Sequence, residues 1–256
     1  MRVRVGIFRV ALAALAAGLA VGGQLLLASR RPQSSPVLAE GAFAALGGLR
    51  SIAAEIIWFR ADRLQEEGRY VEIAQLASAL TFMEPHTPEV WSYAAWNLAY
   101  NVSVMMPTPE DRWRWVEAGL RLLRDGGLVR NPGSRELCRE LAWMFEIKIG
   151  ADIDSAAAHY RERWRETVED VRARGAWGEL RMDPAEMRRI ESATGFDDWT
   201  DPQLSAIYWG VRGRCADIVS QAVAIYRRRH GLPQAVDGPV GSPDRLNATS
   251  GRLNAL

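Results

Sequence analysis

The segment GRYVEIAQLASALTFMEP, from Gly68 to Pro85, decides the predicted fold. Gly68 suits the left-handed position that follows a helix, so it ends a preceding helix. A second helix starts at Tyr70, and Pro85 cannot continue it. We therefore predict two consecutive antiparallel helices joined by a very short turn. The apolar residues of the second helix recur at steps of three and four, as on one buried helix face: Ile73, Leu76, Ala77, Leu80 and Met83.

Helical periodicity continues downstream, and it predicts an all-α chain. Residues 104–111, VMMPTPED, indicate a loop. Gly126 and Gly127 are expected to end the helix that follows this loop. The predicted helices after the loop are Glu110–Asp125, Ser134–Ile149, Ser155–Arg174, a short helix from Pro184, and one long last helix from Pro202 to about Arg229.

Three segments resemble the tetratricopeptide repeat, a 34-residue helix–turn–helix unit with the pattern W-x2-L-G-x2-Y. Gly68 and Pro85 match the turn glycine and the closing proline of that repeat. Pro85 and Pro132 are 47 residues apart, so the middle unit is expanded, and we place the excess in a loop at Met105–Glu110. The residues in the four pattern positions are Ile57, Arg60, Ala61 and Leu64, then Trp91, Ala94, Ala95 and Leu98, then Cys138, Leu141, Ala142 and Phe145.

The chain is also similar to a group of bacterial membrane-anchored, tetratricopeptide-like proteins over most of residues 41–210. This resemblance implies a fold and a topology but no activity. It implies a short right-handed α-solenoid of about three helical pairs over residues 41–174, followed by a C-terminal helical cap over 175–231. The segments that carry it are Leu64–Tyr70, Trp91–Leu98, Asp111–Asp125, Asp198–Trp199 and Ile207–Trp209.

The N-terminus predicts a single membrane-spanning helix within residues 1–29. An uncharged run over residues 10–29 follows Arg2, Arg4 and Arg9, and about 20 residues of helix cross a bilayer core. A cleaved signal peptide is the alternative. The positive-inside rule keeps the N-terminus cytoplasmic, so we expect an inner-membrane protein whose body is exported to the periplasm or cell exterior. Residues 30–40 are predicted to be a linker, and 232–256 a disordered tail.

Composition argues against several kinds of site. The 32 basic and 31 acidic residues give a net charge of +1, so no global field favours nucleic acid. No nucleotide-binding, hydrolase or zinc motif occurs, and we predict no catalytic, cofactor-binding or metal-binding residue. Glu84, His86 and Glu89 are explained better by capping and solvation than by a metal. Cys138 and Cys215 allow one disulfide, although apolar packing is the simpler interpretation.

Tryptophan is unusually frequent, with ten in the chain, and solenoids of this type hold peptides in a concave groove. We predict a non-enzymatic, membrane-anchored scaffold that binds a protein partner. The alternative is an envelope enzyme or carbohydrate-binding accessory, with Glu191, Asp197, Asp198, Trp199 and Tyr208 forming a site in the C-terminal cap. The predicted partner-binding residues are Trp91, Trp96, Tyr100, Trp113, Arg114, Arg121 and Trp143.

Overall fold

The computed structural model describes residues 55–233. Over this range the chain is helical and contains no β-strand, which confirms the predicted all-α class. The predicted anchor, the linker and the tail beyond residue 233 lie outside the described residues. Within them, no helix combines the length and the apolar content needed to cross a bilayer. The chain divides after Phe59 into two compact units, and the account below concerns the second.

Nine helices, labelled α1 to α9, follow one another in the described residues. Three of them continue beyond their α-helical part through a π-helical turn, and each keeps one label. They are α1 (described over 55–66), α2 (Tyr70–Met83), α3 (Pro88–Trp96, then Asn97–Val102 and Ser103–Met105), α4 (Pro109–Arg121, then Leu122–Gly127 and Leu128–Arg130), α5 (Arg135–Trp143, then Met144–Ile149), α6 (Ala157–Arg174), α7 (Pro184–Thr194), α8 (Pro202–Gly213) and α9 (Ala216–Arg229).

The turn at Gly68 forms as predicted. Gly68 has a φ of 70°, which is costly for a residue with a Cβ atom. Its N–H donates to Gln65 O at 3.1 Å, and Arg69 N–H donates to Leu64 O at 2.9 Å. This bond pair closes α1 as a Schellman motif, and α2 covers the predicted Tyr70–Met83.

Side-chain caps set where four later helices begin. Each cap is a Ser, Thr or Asp whose oxygen accepts from a backbone N–H of the first turn, which an isolated helix end leaves unpaired. Pro follows the cap in three of them, where its missing N–H costs nothing. The caps are Thr108 for α4, Ser134 for α5, Asp183 for α7 and Asp201 for α8.

The predicted loop at Met105–Glu110 is shorter than expected, because helix extends to Met105 and resumes at Pro109. The prediction that Gly126 and Gly127 end α4 is wrong, since the helix continues to Arg130. Both glycines instead admit Trp91 of α3. A Cβ atom on Gly126 would lie 2.5 Å from Trp91 Cζ3, and one on Gly127 would lie 3.3 Å from Trp91 Cβ. Gly126 and Gly127 therefore lie inside a helix, at a position where α3 and α4 approach each other closely.

The predicted last helix is two helices. Arg214 adopts a left-handed φ of 56° and ends α8, and α9 starts at Ala216 and packs back on α8. The residues predicted to form one helix from Pro202 to about Arg229 therefore form both arms of a helical hairpin.

Helix α8 forms the centre of the core. Most of its side chains are buried all round, as expected for a helix enclosed by others. It packs most extensively on α5 and α9. A Cβ atom on Gly213 would lie 3.0 Å from Arg139 N of α5, and one on Gly210 would lie 2.7 Å from Val219 Cγ2 of α9. Small residues thus let α8 approach both neighbours closely.

One carboxyl group is buried in this region. Glu146, in the π-helical turn of α5, is fully buried, and neither of its carboxylate oxygens has a hydrogen-bond partner among the described residues. Burial, and secondarily Asp217 of α9, raises the pKa of Glu146 to about 7. Gln203 of α8 donates to the Glu146 backbone carbonyl at 3.0 Å.

Replacing Gly126 by Ala should destabilise the protein, although Ala is normally the better helix former by about 1 kcal/mol. The new methyl group must displace the buried ring of Trp91, and such overpacking costs about 1–3 kcal/mol. Thermal unfolding of the full-length chain, followed by circular dichroism, measures the change. Gly178→Ala is the control, because no atom lies within 4 Å of a Cβ at that position. Equal stability of the two variants would contradict this contact.

Replacing Glu146 by Gln should change how stability depends on pH. Because folding raises this pKa from 4.5 to about 7, the folded state retains a proton that the unfolded chain releases. The wild type therefore loses stability as the pH rises from about 4.5 to 7. The amide of the Glu146→Gln variant cannot ionise, so this variant should gain on the order of 3 kcal/mol relative to wild type between pH 4 and pH 8. Urea unfolding at several pH values measures this difference.

Glu166→Gln, on the exposed surface of α6, is the matched control and should leave the pH profile close to that of the wild type. A wild-type stability that rises from pH 5 to pH 8, with Glu146→Gln following the same curve, would rule out a buried neutral carboxyl.

Candidate functional site

Helices α3 and α5 pack against each other and expose two tryptophans, with the partly buried Tyr100 next to both. Trp96 and Trp143 keep 39% and 42% of their surface exposed, although Trp is usually largely buried. Trp96 stacks on Tyr100, with ring centroids 5.8 Å apart and planes inclined by 22°. The indole of Trp143 lies near the hydroxyl of Tyr100, which is buried and has no hydrogen-bond partner among the described residues. Tyr100 therefore joins the two tryptophans into one surface.

Three carboxylates continue this surface toward the N-terminal ends of the two helices. Burial raises the pKa of Glu136, as do the charges of Glu89 and Glu140, while the Ser92 hydroxyl and Arg139 act against them. Burial also raises the pKa of Tyr100, with the negative charge of Glu140 as the next cause. We call this surface the aromatic–acidic face, and its residues are Glu89, Trp96, Tyr100, Glu136, Glu140 and Trp143.

A buried ion pair supports the face from within the protein. Lys148 Nζ lies 2.6 Å from Asp154 Oδ2, and both side chains are less than 10% exposed. Burial raises the pKa of Asp154, but the hydrogen bonds from Lys148 and from Ala156 N outweigh it, so the pKa is lowered overall. The same ammonium group lies 5.3 Å from the ring centroid of Tyr100. Tyr100 is thus packed against a fixed cation on its inner side.

The structure separates the predicted partner-binding residues into two sets. Trp96, Tyr100 and Trp143 come together on the aromatic–acidic face. Trp91 and Trp113 lie in the core, 7% and 3% exposed, and so offer little ring surface to a partner.

Arg114 and Arg121 are exposed on α4, a helix that contributes no residue to the aromatic–acidic face. Arg114 pairs with Asp111 at 3.2 Å, and Arg121 pairs with Glu117 at 2.7 Å. Both pairs lie within one helix, as expected for a solvated helix surface, and exposed pairs of this kind contribute little to stability.

A second candidate site lies near α7, where a shallow cleft of about 340 Å³ opens. Glu191 and Asp197 line it, as the alternative interpretation requires, but the other predicted residues do not form a stacking platform. Trp199 is 3% exposed, and its indole donates to Glu191 Oε1 at 2.6 Å. The more accessible aromatic residue of the cleft is Trp177, which sequence reasoning missed. The lining residues are Arg172, Trp177, Pro184, Met187, Arg188, Glu191, Asp197 and Trp199.

Two residues of the alternative site have structural roles. Asp198 accepts from the backbone N–H and the hydroxyl of Thr200, at 3.1 and 2.5 Å, and stabilises the turn before α8. Tyr208 is fully buried, and its hydroxyl accepts from Asp183 N–H at 2.9 Å. Neither residue is available to bind a sugar ring in the cleft.

Sequence reasoning also missed the role of Glu136 and Glu140. A signal was present, because Glu136, Glu140 and Trp143 are spaced four and three residues apart and therefore share one side of a helix. What the sequence did not supply was the pairing of this side of α5 with α3.

The described residues include no group of three or more His, Cys, Asp or Glu side chains arranged to hold a metal ion. Cys138 and Cys215 are both free thiols, and burial raises the pKa of each. A raised pKa keeps a thiol protonated and weakly nucleophilic.

No protein-family model, no curated protein and no solved structure matches this chain.

Proposed function

We propose that this chain is a non-enzymatic interaction protein of the bacterial envelope, and that its aromatic–acidic face binds a protein partner. The observation that carries the proposal is the pair of half-exposed tryptophans, Trp96 and Trp143, on the packed helices α3 and α5, with Trp96 stacked on Tyr100. Exposed aromatic clusters on a rigid helical surface are typical of binding sites, and Trp and Tyr dominate binding energy where partners meet.

The proposed architecture is a short, tetratricopeptide-like right-handed solenoid of about three helical pairs. Its support is the order of the elements, in which α1 and α2, α3 and α4, and α5 and α6 follow each other as helix–turn–helix units. The first helices of successive units, α3 and α5, pack on each other, and α8 packs next on α5. Such solenoids present an extended concave surface that binds ligands.

The proposed location is the inner membrane, with one spanning helix at residues 10–29 and the helical domain exported. The uncharged run and the three preceding arginines support it. A membrane anchor would hold the aromatic–acidic face near other envelope proteins, which raises the effective concentration of a partner in the same membrane.

The second candidate function is carbohydrate binding in the cleft near α7. The observation in its favour is the combination of Trp177 with the carboxylates of Glu191 and Asp197 around one concavity. Its test places a photo-reactive residue at Trp177, where the expected adduct is a glycan and not a protein.

The test places the photo-reactive residue p-benzoylphenylalanine at Trp143 in the full-length chain, expressed in its own cells. Irradiation should give one reproducible protein adduct, because an exposed aromatic anchor in a contact site lies within bonding distance of the partner. Adding Trp96→Ala should lower the adduct yield at least about fivefold, since neighbouring anchors share the binding energy. Mass spectrometry identifies the adduct.

Val129, an exposed apolar residue of α4, is the matched control position and should give no specific adduct. Adducts that are the same at Val129 and at Trp143, or an absence of adducts at Trp143, would refute the proposed binding face. A specific glycan adduct at Trp177 alone would favour carbohydrate binding in the cleft.

A further inference from the structure

We propose that the partner segment recognised by the aromatic–acidic face is cationic, with lysine or arginine side chains placed against Trp96, Tyr100 and Trp143 and facing the carboxylates of Glu136 and Glu140. This inference rests on the proposed function and names the chemistry of the partner. Three observations carry it, concerning the charge of the face, the environment of Tyr100 and the dimensions of the surface.

The face carries an excess of negative charge. Three of its six residues are carboxylates, and the negative charges of Glu89 and Glu140 act on Glu136. Among the groups that act on Glu136, the cation is Arg139, which pairs with Glu140 at 3.4 Å and keeps 55% of its side chain exposed. Lys148 does not neutralise the negative charge of the face, because its ammonium group is buried and paired with Asp154. A positive partner would therefore meet unbalanced charge.

The protein already binds a cation against this aromatic group, on its inner side. The ammonium of Lys148 lies 5.3 Å from the centroid of Tyr100 and 5.7 Å from that of Tyr160. These distances are within the range of cation–π attraction, about 6 Å from the ring centroid. The exposed rings of Trp96 and Trp143 offer the same interaction on the outer side, and Trp is the strongest of the three aromatic residues in this role.

Other partner chemistries fit less well. An acidic segment would be repelled by Glu89, Glu136 and Glu140. A purely apolar segment would cover Glu136, which is already partly desolvated, without giving it a counter-charge, and burying an unpaired carboxylate costs several kcal/mol. A lysine or arginine satisfies both the rings and the carboxylates, because its apolar stem packs on an aromatic surface while its charged end reaches a carboxylate.

The size of the face matches a short peptide. Glu89 and Tyr100 are eleven residues apart on α3, which corresponds to about 16 Å along a helix axis. An extended chain covers this distance with about five residues. Two or three cationic side chains on alternate residues can then contact the face, because every second side chain of an extended segment points to the same side.

The experiment presents a phage-displayed library of random dodecapeptides to the detergent-solubilised full-length chain, immobilised by a C-terminal tag. Selected peptides should be enriched in lysine and arginine. A selected peptide should bind Glu136→Gln/Glu140→Gln about tenfold more weakly, and Trp96→Ala/Trp143→Ala at least as weakly. Its binding should weaken as sodium chloride rises from about 0.05 to 0.5 M, because salt screens exposed charges.

The charge-matched control is Glu162→Gln/Glu169→Gln, which removes two exposed carboxylates of α6, a helix that contributes no residue to the face. It should bind the selected peptide as the wild type does. Circular dichroism of every variant separates a binding loss from unfolding.

Two outcomes would overturn the inference. Peptides without basic enrichment, whose binding depends on Trp96 and Trp143 but not on Glu136 and Glu140, would refute the cationic partner and leave the proposed binding function intact. Basic peptides that bind Glu136→Gln/Glu140→Gln and the control Glu162→Gln/Glu169→Gln equally weakly would show that general charge attraction causes the binding. That result would refute recognition by the face. Failure to select any peptide, together with an absence of adducts at Trp143 in cells, would refute the proposed function as well.

Discussion

The enclosure of α8 by its neighbours is the constraint on which the rest of the described fold depends. Apolar and polar side chains alike are buried around this helix, which is possible only if other helices cover every side. Gly213 brings its backbone against α5, and Gly210 brings it against α9. A larger side chain at either position would force the helices apart and open the core. The close packing of the three helices therefore depends on two glycines.

This arrangement also fixes the aromatic–acidic face. Helix α5 is held between α8 on one side and α3 on the other, and its π-helical turn carries Lys148 inward to Asp154. Helices α3, α4 and α5 each contain a π-helical turn, so such a turn does not by itself mark a functional position, but the one in α5 shapes the face. It places Lys148 under Tyr100 while Trp143, just before the turn, remains outside. A binding surface on such rigid elements loses little conformational entropy when a partner docks.

Features set by neighbouring residues could be predicted from the sequence, and features set by distant contacts could not. The starts of α4 and α7 follow from Thr108 and Asp183, because a cap bonds to a backbone group two or three residues away. Gly126 was misread because a glycine after a helical run signals either a stop or a close contact, and only the distant Trp91 decides which. The break at Arg214 has no local signal, since arginine rarely adopts a left-handed conformation. For the same reason, tryptophan content predicted a binding surface but not which rings are exposed.

Hydroxyl-radical footprinting tests the central claim most directly, because oxidation of a tryptophan ring depends on its exposure to solvent. The measurement compares the protein in its native membrane with the purified full-length chain, and it reads each tryptophan separately by mass spectrometry. Our account predicts that Trp96 and Trp143 are oxidised more slowly in the membrane, where the partner is present, while the rate at Trp177 stays unchanged. Equal rates at Trp96 and Trp143 in both samples, or protection at Trp177 alone, would contradict it.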